Sequence, residues 1–192
     1  MATQDSRIKI KRSTVSGTVP TVAPSDDHTQ PSPAWTATDI YKGELFINQA
    51  DNVVWSRGDD GVFCIGGTAE LTITAADVKT LNSTPLTIVS AVSGYSIEVV
   101  SASVKIDFNT TAYAGSTNLE LRHDGAALGI LRSDCLGSTI SNKMIFDDTV
   151  APTTLNTQML DNAALQVQAV GSNPTTGDSD VTVYVNYRLI PA

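Results

Sequence analysis

The fold is decided by the last strand-like stretch of the chain, Val181-Thr182-Val183-Tyr184-Val185-Asn186-Tyr187-Arg188-Leu189-Ile190. It follows a turn-rich loop, residues 172–178, which holds asparagine, proline, glycine and aspartate. Turn residues followed by a run of β-branched and aromatic residues are typical of a loop that leads into a strand. This run is the clearest strand signal in the sequence.

Working backward, similar apolar runs alternate with turn signals from Glu70 onward. A run near 95–108 alternates apolar and polar residues, with a small-residue break at 101–103 that indicates a bulge. A His123-Asp124-Gly125-Ala126 turn predicts a hairpin. Strands are predicted near 70–74, 86–91, 95–108, 118–123, 126–132, 143–147, 163–170 and 180–190, with a helix as the alternative for 163–170. About eight strands in this space predict an all-β fold, an antiparallel, jelly-roll-like β-sandwich over 68–192.

The N-terminal segment, residues 1–37, has a different character. Prolines stand at 20, 24, 31 and 33 among serine, threonine and aspartate, so a helix is precluded and a central strand disfavoured. We call this segment the arm and expect it to be extended and ordered only where something else holds it. The sequence also predicts that residues 1–30 can be removed without loss of fold or of oligomeric state.

Between the arm and the sandwich, residues 38–67 form three short apolar runs separated by Asn, Asp and Gly clusters. The pattern predicts a compact β-meander. A unit of about thirty residues buries too little surface to be stable alone. It should need a neighbour, either the downstream domain or the same segment of another copy.

This meander carries a recognisable motif. Gly43-Glu44-Leu45-Phe46-Ile47-Asn48 is followed by Ala50-Asp51, by Val54-Trp55-Ser56 and by Gly61-Val62-Phe63-Cys64-Ile65-Gly66. Together with Arg7-Ile8-Lys9-Ile10-Lys11-Arg12-Ser13 and Thr18-Val19-Pro20-Thr21, it resembles the leader and module of fibre, appendage and head-fibre proteins of tailed bacteriophages. The resemblance covers about a third of the chain and implies a virion structural protein, often trimeric, with its N-terminus facing the particle.

Composition narrows the choice of partners. The net charge of −8 disfavours nucleic acid as a partner, because phosphate binding needs clustered cations. The start of the chain lacks the apolar run of a secretory signal, and no stretch approaches the length of a membrane span, so we expect a soluble protein made in the host cytoplasm. Cys64 and Cys135 match no metal or redox spacing and are interpreted as reduced, packed thiols.

Catalytic groups are scarce in the sequence. Its two histidines, His28 and His123, lie in different segments, and no nucleophile-elbow, phosphate-loop or zinc-helix motif occurs. Adjacent aspartates occur at Asp26-Asp27, Asp59-Asp60 and Asp147-Asp148. Because adjacent residues of a strand point to opposite faces, each pair is interpreted as a turn or a solvated edge rather than a site. The Arg57-Gly58-Asp59 tripeptide is interpreted as part of a polar turn. We expect no enzyme activity, no metal and no cofactor.

The sequence therefore predicts a phage virion subunit that self-associates, as a homotrimer, and binds the major capsid protein or another virion protein. The predicted anchoring residues are Arg7, Ile8, Lys9, Ile10, Lys11, Arg12 and Trp35. The predicted oligomerisation residues are Leu45, Ile47, Val54, Trp55 and Phe63. One alternative is a module that binds a host-surface glycan or receptor, and another is a depolymerising enzyme.

Overall fold

The computed structural model describes residues 10–24, 36–124, 126–146 and 159–192. The chain divides into two compact units, Met1–Gly67 and Thr68–Ala192. Strands dominate both, and in the described residues no helix is long and apolar enough to cross a bilayer. The all-β prediction is confirmed.

In unit 1, the part of the chain that the structure describes forms a four-stranded sheet and a small strand pair. The strands are β1 (Lys11–Ser13), β2 (Thr21–Val22), β3 (Asp39–Ile40), β4 (Leu45–Asn48), β5 (Val53–Arg57) and the first half of β6 (Val62–Ile73). The sheet order is β1-β4-β5-β6, in which β1 runs parallel to β4 and the other pairs are antiparallel. Strands β2 and β3 pair in parallel. The predicted meander corresponds to β4, β5 and β6.

The arm supplies part of the core of unit 1. Phe46 and Trp55, both 1% exposed, come from the meander, while Ile40 lies on β3. The arm contributes Pro20 and Ala23, which are both buried. Because residues 10–24 provide two strands and buried side chains, we now expect removal of residues 1–30 to destabilise unit 1, contrary to the sequence-based expectation.

The described residues of unit 2 form a sandwich of two four-stranded sheets. Its strands are the second half of β6, β7 (Leu86–Val89), β8 (Tyr95–Asp107), β9 (Tyr113–Ala114), β10 (Leu119–His123), β11 (Ala126–Arg132), β12 (Asn142–Ile145), β13 (Leu165–Ala169), β14 (Thr175–Thr176) and β15 (Asp180–Pro191). One sheet has the order β6-β15-β8-β12 and the other β11-β10-β13-β7, while β9 and β14 form a separate pair. Successive long strands lie alternately in the two sheets, except that β10 and β11 form a hairpin within one sheet.

Alternating buried residues of the two sheets form the core of unit 2. Val181, Val183 and Val185 of β15 are 0–2% exposed and face inward, as do Leu165 and Val167 of β13. Each predicted strand region contains an observed strand, and 163–170 contains β13 rather than a helix. The predicted bulge occurs near its expected place, where the β8–β15 register shifts between Asn186 and Tyr187.

Two elements of unit 2 escape the sequence patterns. Helix α1 (Ala75–Val78) is a single turn, and the hydroxyl of Thr74 caps it by accepting the Asp77 N–H at 3.3 Å. The two-residue pair β9–β14 is held by the loop that follows it, where the carboxylate of Asp178 accepts the N–H groups of Thr110 and Thr111. Elements this short leave no periodic pattern in a sequence.

Candidate functional site

The motif residues of unit 1 form the turns that shape the meander. Gly43 has φ +74°, a conformation that glycine adopts without strain, and its N–H donates to the Arg57 carbonyl at 2.8 Å. The Glu44 carboxylate accepts the Tyr41 N–H at 3.0 Å and lies 3.6 Å from the Lys11 ammonium. The Gly-Glu pair therefore closes the turn before β4 and holds the start of β1.

Two further motif residues, Asn48 and Asp51, bind the arm, and we call them the clasp. The Asn48 amide nitrogen donates to the carbonyls of Val15 and Thr18, both at 3.1 Å, and lies 2.6 Å from the Asp51 carboxylate. That carboxylate also accepts the Ser16 hydroxyl at 2.6 Å and the Gly17 N–H at 2.7 Å. The clasp thus fixes the turn that links β1 to the rest of the arm.

A buried carboxylate fixes the second arm strand. Asp39 is 5% exposed and accepts the Thr21 hydroxyl at 2.5 Å and the Thr36 N–H at 2.6 Å. The Thr21 hydrogen bond, followed by the Thr36 bond, lowers the pKa of Asp39, because both stabilise the charged form. Lys11 donates to the Asp39 backbone carbonyl, so β1 and β3 are also joined.

The sheet of unit 1 has one buried face and one apolar face that is open to solvent. Phe46, Val53 and Trp55 point to the buried side. The opposite side, which we call the outer face, carries Leu45, Ile47, Val54, Phe63, Ile65 and, at its edge, Ile10. Of these, Ile10 is 40%, Leu45 38%, Phe63 49% and Ile65 53% exposed, while Ile47 and Val54 are half-buried.

The strand register explains how these side chains come together. Ile47 pairs with Val54, and Leu45 and Phe63 both pair with Ser56, which lies between them. The register shifts between Val54 and Trp55, so that Ile65 stands opposite no residue of β5. Cross-strand neighbours are close enough to form one continuous patch.

The structure separates the predicted oligomerisation residues into two sets. Leu45, Ile47, Val54 and Phe63 share the outer face, whereas Trp55 lies beneath it in the core, because residues 54 and 55 point to opposite sides of β5. Ile65 belongs to the outer face although sequence reasoning missed it. The alternation of Phe63, Cys64 and Ile65 places Ile65 on the same face as Phe63, but the irregular register beside Ile65 breaks this pattern in the following residues.

The predicted anchoring residues are only partly described. Arg7, Ile8, Lys9 and Trp35 lie outside the described residues, as do His28 and the Asp26-Asp27 and Asp147-Asp148 pairs. Arg12 is exposed and pairs with Ile47, so Ile10, two residues earlier, lies on the same face of the sheet. Lys11 points to the other side, where Glu44 and Asp39 engage its ammonium group.

The Arg57-Gly58-Asp59 tripeptide lies at a hairpin. The Arg57 guanidinium donates to the Ile40 carbonyl at 3.1 Å, and the Gly58 N–H closes the turn on the Gly61 carbonyl at 2.9 Å. Asp59 is paired with Lys42 at 2.9 Å. The arginine and the aspartate therefore make contacts within unit 1, as the turn interpretation requires.

Unit 2 buries its titratable histidine and its cysteine. His123 is 0% exposed, accepts the Leu160 N–H at 3.0 Å, and has its pKa lowered by burial. Burial also raises the pKa of Cys135 to about 12. Cys64 and Cys135 form no disulfide, and the described residues contain no group of three His, Cys, Asp or Glu side chains that could hold a metal ion.

Comparisons with known proteins add little to this picture. No protein-family model and no curated protein matches the chain. Among solved structures, a chain of "Cyanophage Pam1 capsid asymmetric unit" is similar at 19% sequence identity, over 66% of this chain and 86% of that chain, with a TM-score of 0.39. A TM-score at this level assigns neither a fold nor a role to the chain.

Proposed function

We propose that the chain is a non-enzymatic structural subunit of a phage virion that self-associates through the outer face of unit 1 and attaches to the particle through its arm. The single observation that carries the proposal is the exposed apolar outer face on the unit that also holds the arm. The resemblance of residues 43–66 to the module of phage fibre and head-fibre proteins supports the virion context.

The outer face favours association with further copies of the chain. It places six apolar side chains on neighbouring strands, with Phe63 and Ile65 about half exposed. Contiguous apolar patches on a soluble protein mark interaction sites, because covering them removes apolar surface from water. A homotrimer would bury the patch symmetrically around one axis.

The arm is suited to attachment because of its sequence and its charge. Arg7, Lys9, Lys11 and Arg12 give the first twelve residues four cations on a chain of net charge −8. Cations on an extended segment attract an acidic surface and speed encounter with it. The segment before β1 holds Arg7 and Lys9, and we assign the attachment to it.

A truncation that spares unit 1 tests this function. Virions assembled without the chain are mixed with purified full-length protein or with protein lacking residues 1–9, and the bound fraction is measured by co-sedimentation. We expect the full-length protein to bind and the truncated protein not to bind, with light scattering giving a trimer mass for both. Binding of the truncated protein at full stoichiometry, or a 20 kDa species at micromolar concentration, would contradict the proposal.

A further inference from the structure

The clasp holds a defined piece of the arm, residues 13–18, against the turn after β4. The Gln49 N–H donates to the Ser13 carbonyl at 2.8 Å, beside the contacts that Asn48 and Asp51 make with the same segment. Asn48 is 1% exposed, and its own side-chain oxygen is occupied by the Ala50 N–H at 3.0 Å. Its amide group is therefore fixed by the turn and aimed at the arm.

Fixing this piece changes the freedom of what precedes it. With residues 11–18 bound, the chain enters the sheet at a set point next to Arg12 and Ile10. Without the clasp, residues 13–18 would also have to be ordered when the chain attaches to a partner. Ordering such a chain on a partner costs more conformational entropy and lowers its effective concentration at the binding surface.

We propose that Asn48 and Asp51 are positioning residues for attachment, which pre-organise the basic end of the arm for its partner. This inference rests on the function proposed above. Neither residue is on the outer face, and neither needs to touch the particle. Their effect on attachment acts through the arm turn that they bind.

Trypsin digestion of the intact protein, with no virion present, measures whether the clasp holds the arm in place. Peptide bonds after Lys11 and Arg12 are protected while β1 is paired with β4, and cleavage requires local opening. Each lost hydrogen bond to a charged or buried group favours opening, so Asp51→Ala and Asn48→Ala should each speed cleavage at these two bonds about tenfold or more. Asp60→Ala, at an exposed aspartate of another turn in unit 1, is the matched control and should leave the rate unchanged.

Attachment is then measured on the same variants by co-sedimentation over a range of salt concentrations. We expect Asp51→Ala and Asn48→Ala to weaken binding about tenfold with the salt dependence of the wild type, because all arm cations remain. Asp51→Asn, which keeps one carbonyl oxygen to accept the arm, should restore part of the loss. Arg7→Gln with Lys9→Gln should instead flatten the salt dependence.

The direction in which Asp51→Ala changes the binding affinity for the particle distinguishes a positioning role of Asp51 from a purely electrostatic one. Removing an acid makes this region more basic, so a purely electrostatic role predicts tighter binding to an acidic surface. Unchanged cleavage rates, or wild-type attachment despite faster cleavage, would overturn the inference and leave the proposed function standing. Failure of the wild-type protein to bind the particle would overturn both.

Discussion

Replacing Phe63 with serine should weaken self-association by an amount that follows from its exposure. Phe63 is 49% exposed on the outer face. A phenylalanine side chain has roughly 200 Å² of surface, so about 100 Å² remains to be buried, worth about 2.5 kcal/mol per copy. Three copies give about 7.5 kcal/mol for a trimer. Because the midpoint concentration of a trimer scales with the square root of its dissociation constant, the midpoint moves upward several hundredfold.

The assay is light scattering across a dilution series of wild type and Phe63→Ser. Val100→Ser is the control, because Val100 is 64% exposed but lies on β8 of unit 2. We expect Val100→Ser to match the wild type and circular dichroism to be the same for all three proteins. Coincident dilution curves for Phe63→Ser and wild type would refute the assignment of the outer face, as would an equal shift in Val100→Ser.

Three further outcomes are expected in unit 2. Gly177→Ala should lower the free energy of unfolding of unit 2, measured in urea, by about 3–5 kcal/mol, because the added Cβ would lie 2.2 Å from the Tyr113 ring at a backbone φ of +75°. Gly171→Ala is the control, since its φ is +86° but the space around it is open, and it should cost only about 1–2 kcal/mol. The free energy of unfolding of unit 2 should fall as the pH drops below about 6.5, because burial lowers the pKa of His123 in the folded state and the unfolded chain therefore binds the proton at a higher pH. An NMR titration of His123 measures the pKa, and melting curves at several pH values measure the loss of stability. Cys135 should resist thiol reagents at pH 8 until unit 2 unfolds, because burial raises its pKa to about 12.

Each outcome has a clear contrary result. Equal losses of unfolding free energy in Gly177→Ala and Gly171→Ala would mean that the Tyr113 ring moves aside without an energetic cost. A His123 titration at or above 6.5 would remove the pH dependence assigned to it. Labelling of Cys135 in the native protein, at the rate seen in urea, would show that its side chain is accessible.

The strands of unit 2 could be predicted because their signal is local. Long strands with one buried face leave alternating residues, as in β8 and β15, and turn residues mark their ends. Strand β1 has three residues and pairs with β4, more than thirty positions away, so nothing local reveals it. The prolines of the arm exclude a helix, and the described arm residues form none, but the prolines do not show that Pro20 and Ala23 are buried in the core of unit 1.

The candidate site was predictable in part for a similar reason. The motif located the meander, and Leu45 and Ile47, two residues apart in β4, lie on one face of the sheet. Trp55 was misplaced because its neighbour Val54 has a similar apolar character, and only the register decides which of the two is buried. The clasp could not be predicted from the sequence, because the partners of Asn48 and Asp51 are backbone groups of a turn more than thirty residues away.

The pairing of β1 with β4 also limits the kind of assembly that unit 1 can build. An unpaired sheet edge is a template on which copies can add one after another without end, as in fibrillar aggregates. Here the arm already occupies the β4 edge, so a second copy cannot extend the sheet there. Among the described strands β1 is now the edge, but it has only three residues, and a short edge strand offers a second copy few backbone groups to pair with. If copies associate as proposed, we expect them to meet through their outer faces rather than by extending the sheet.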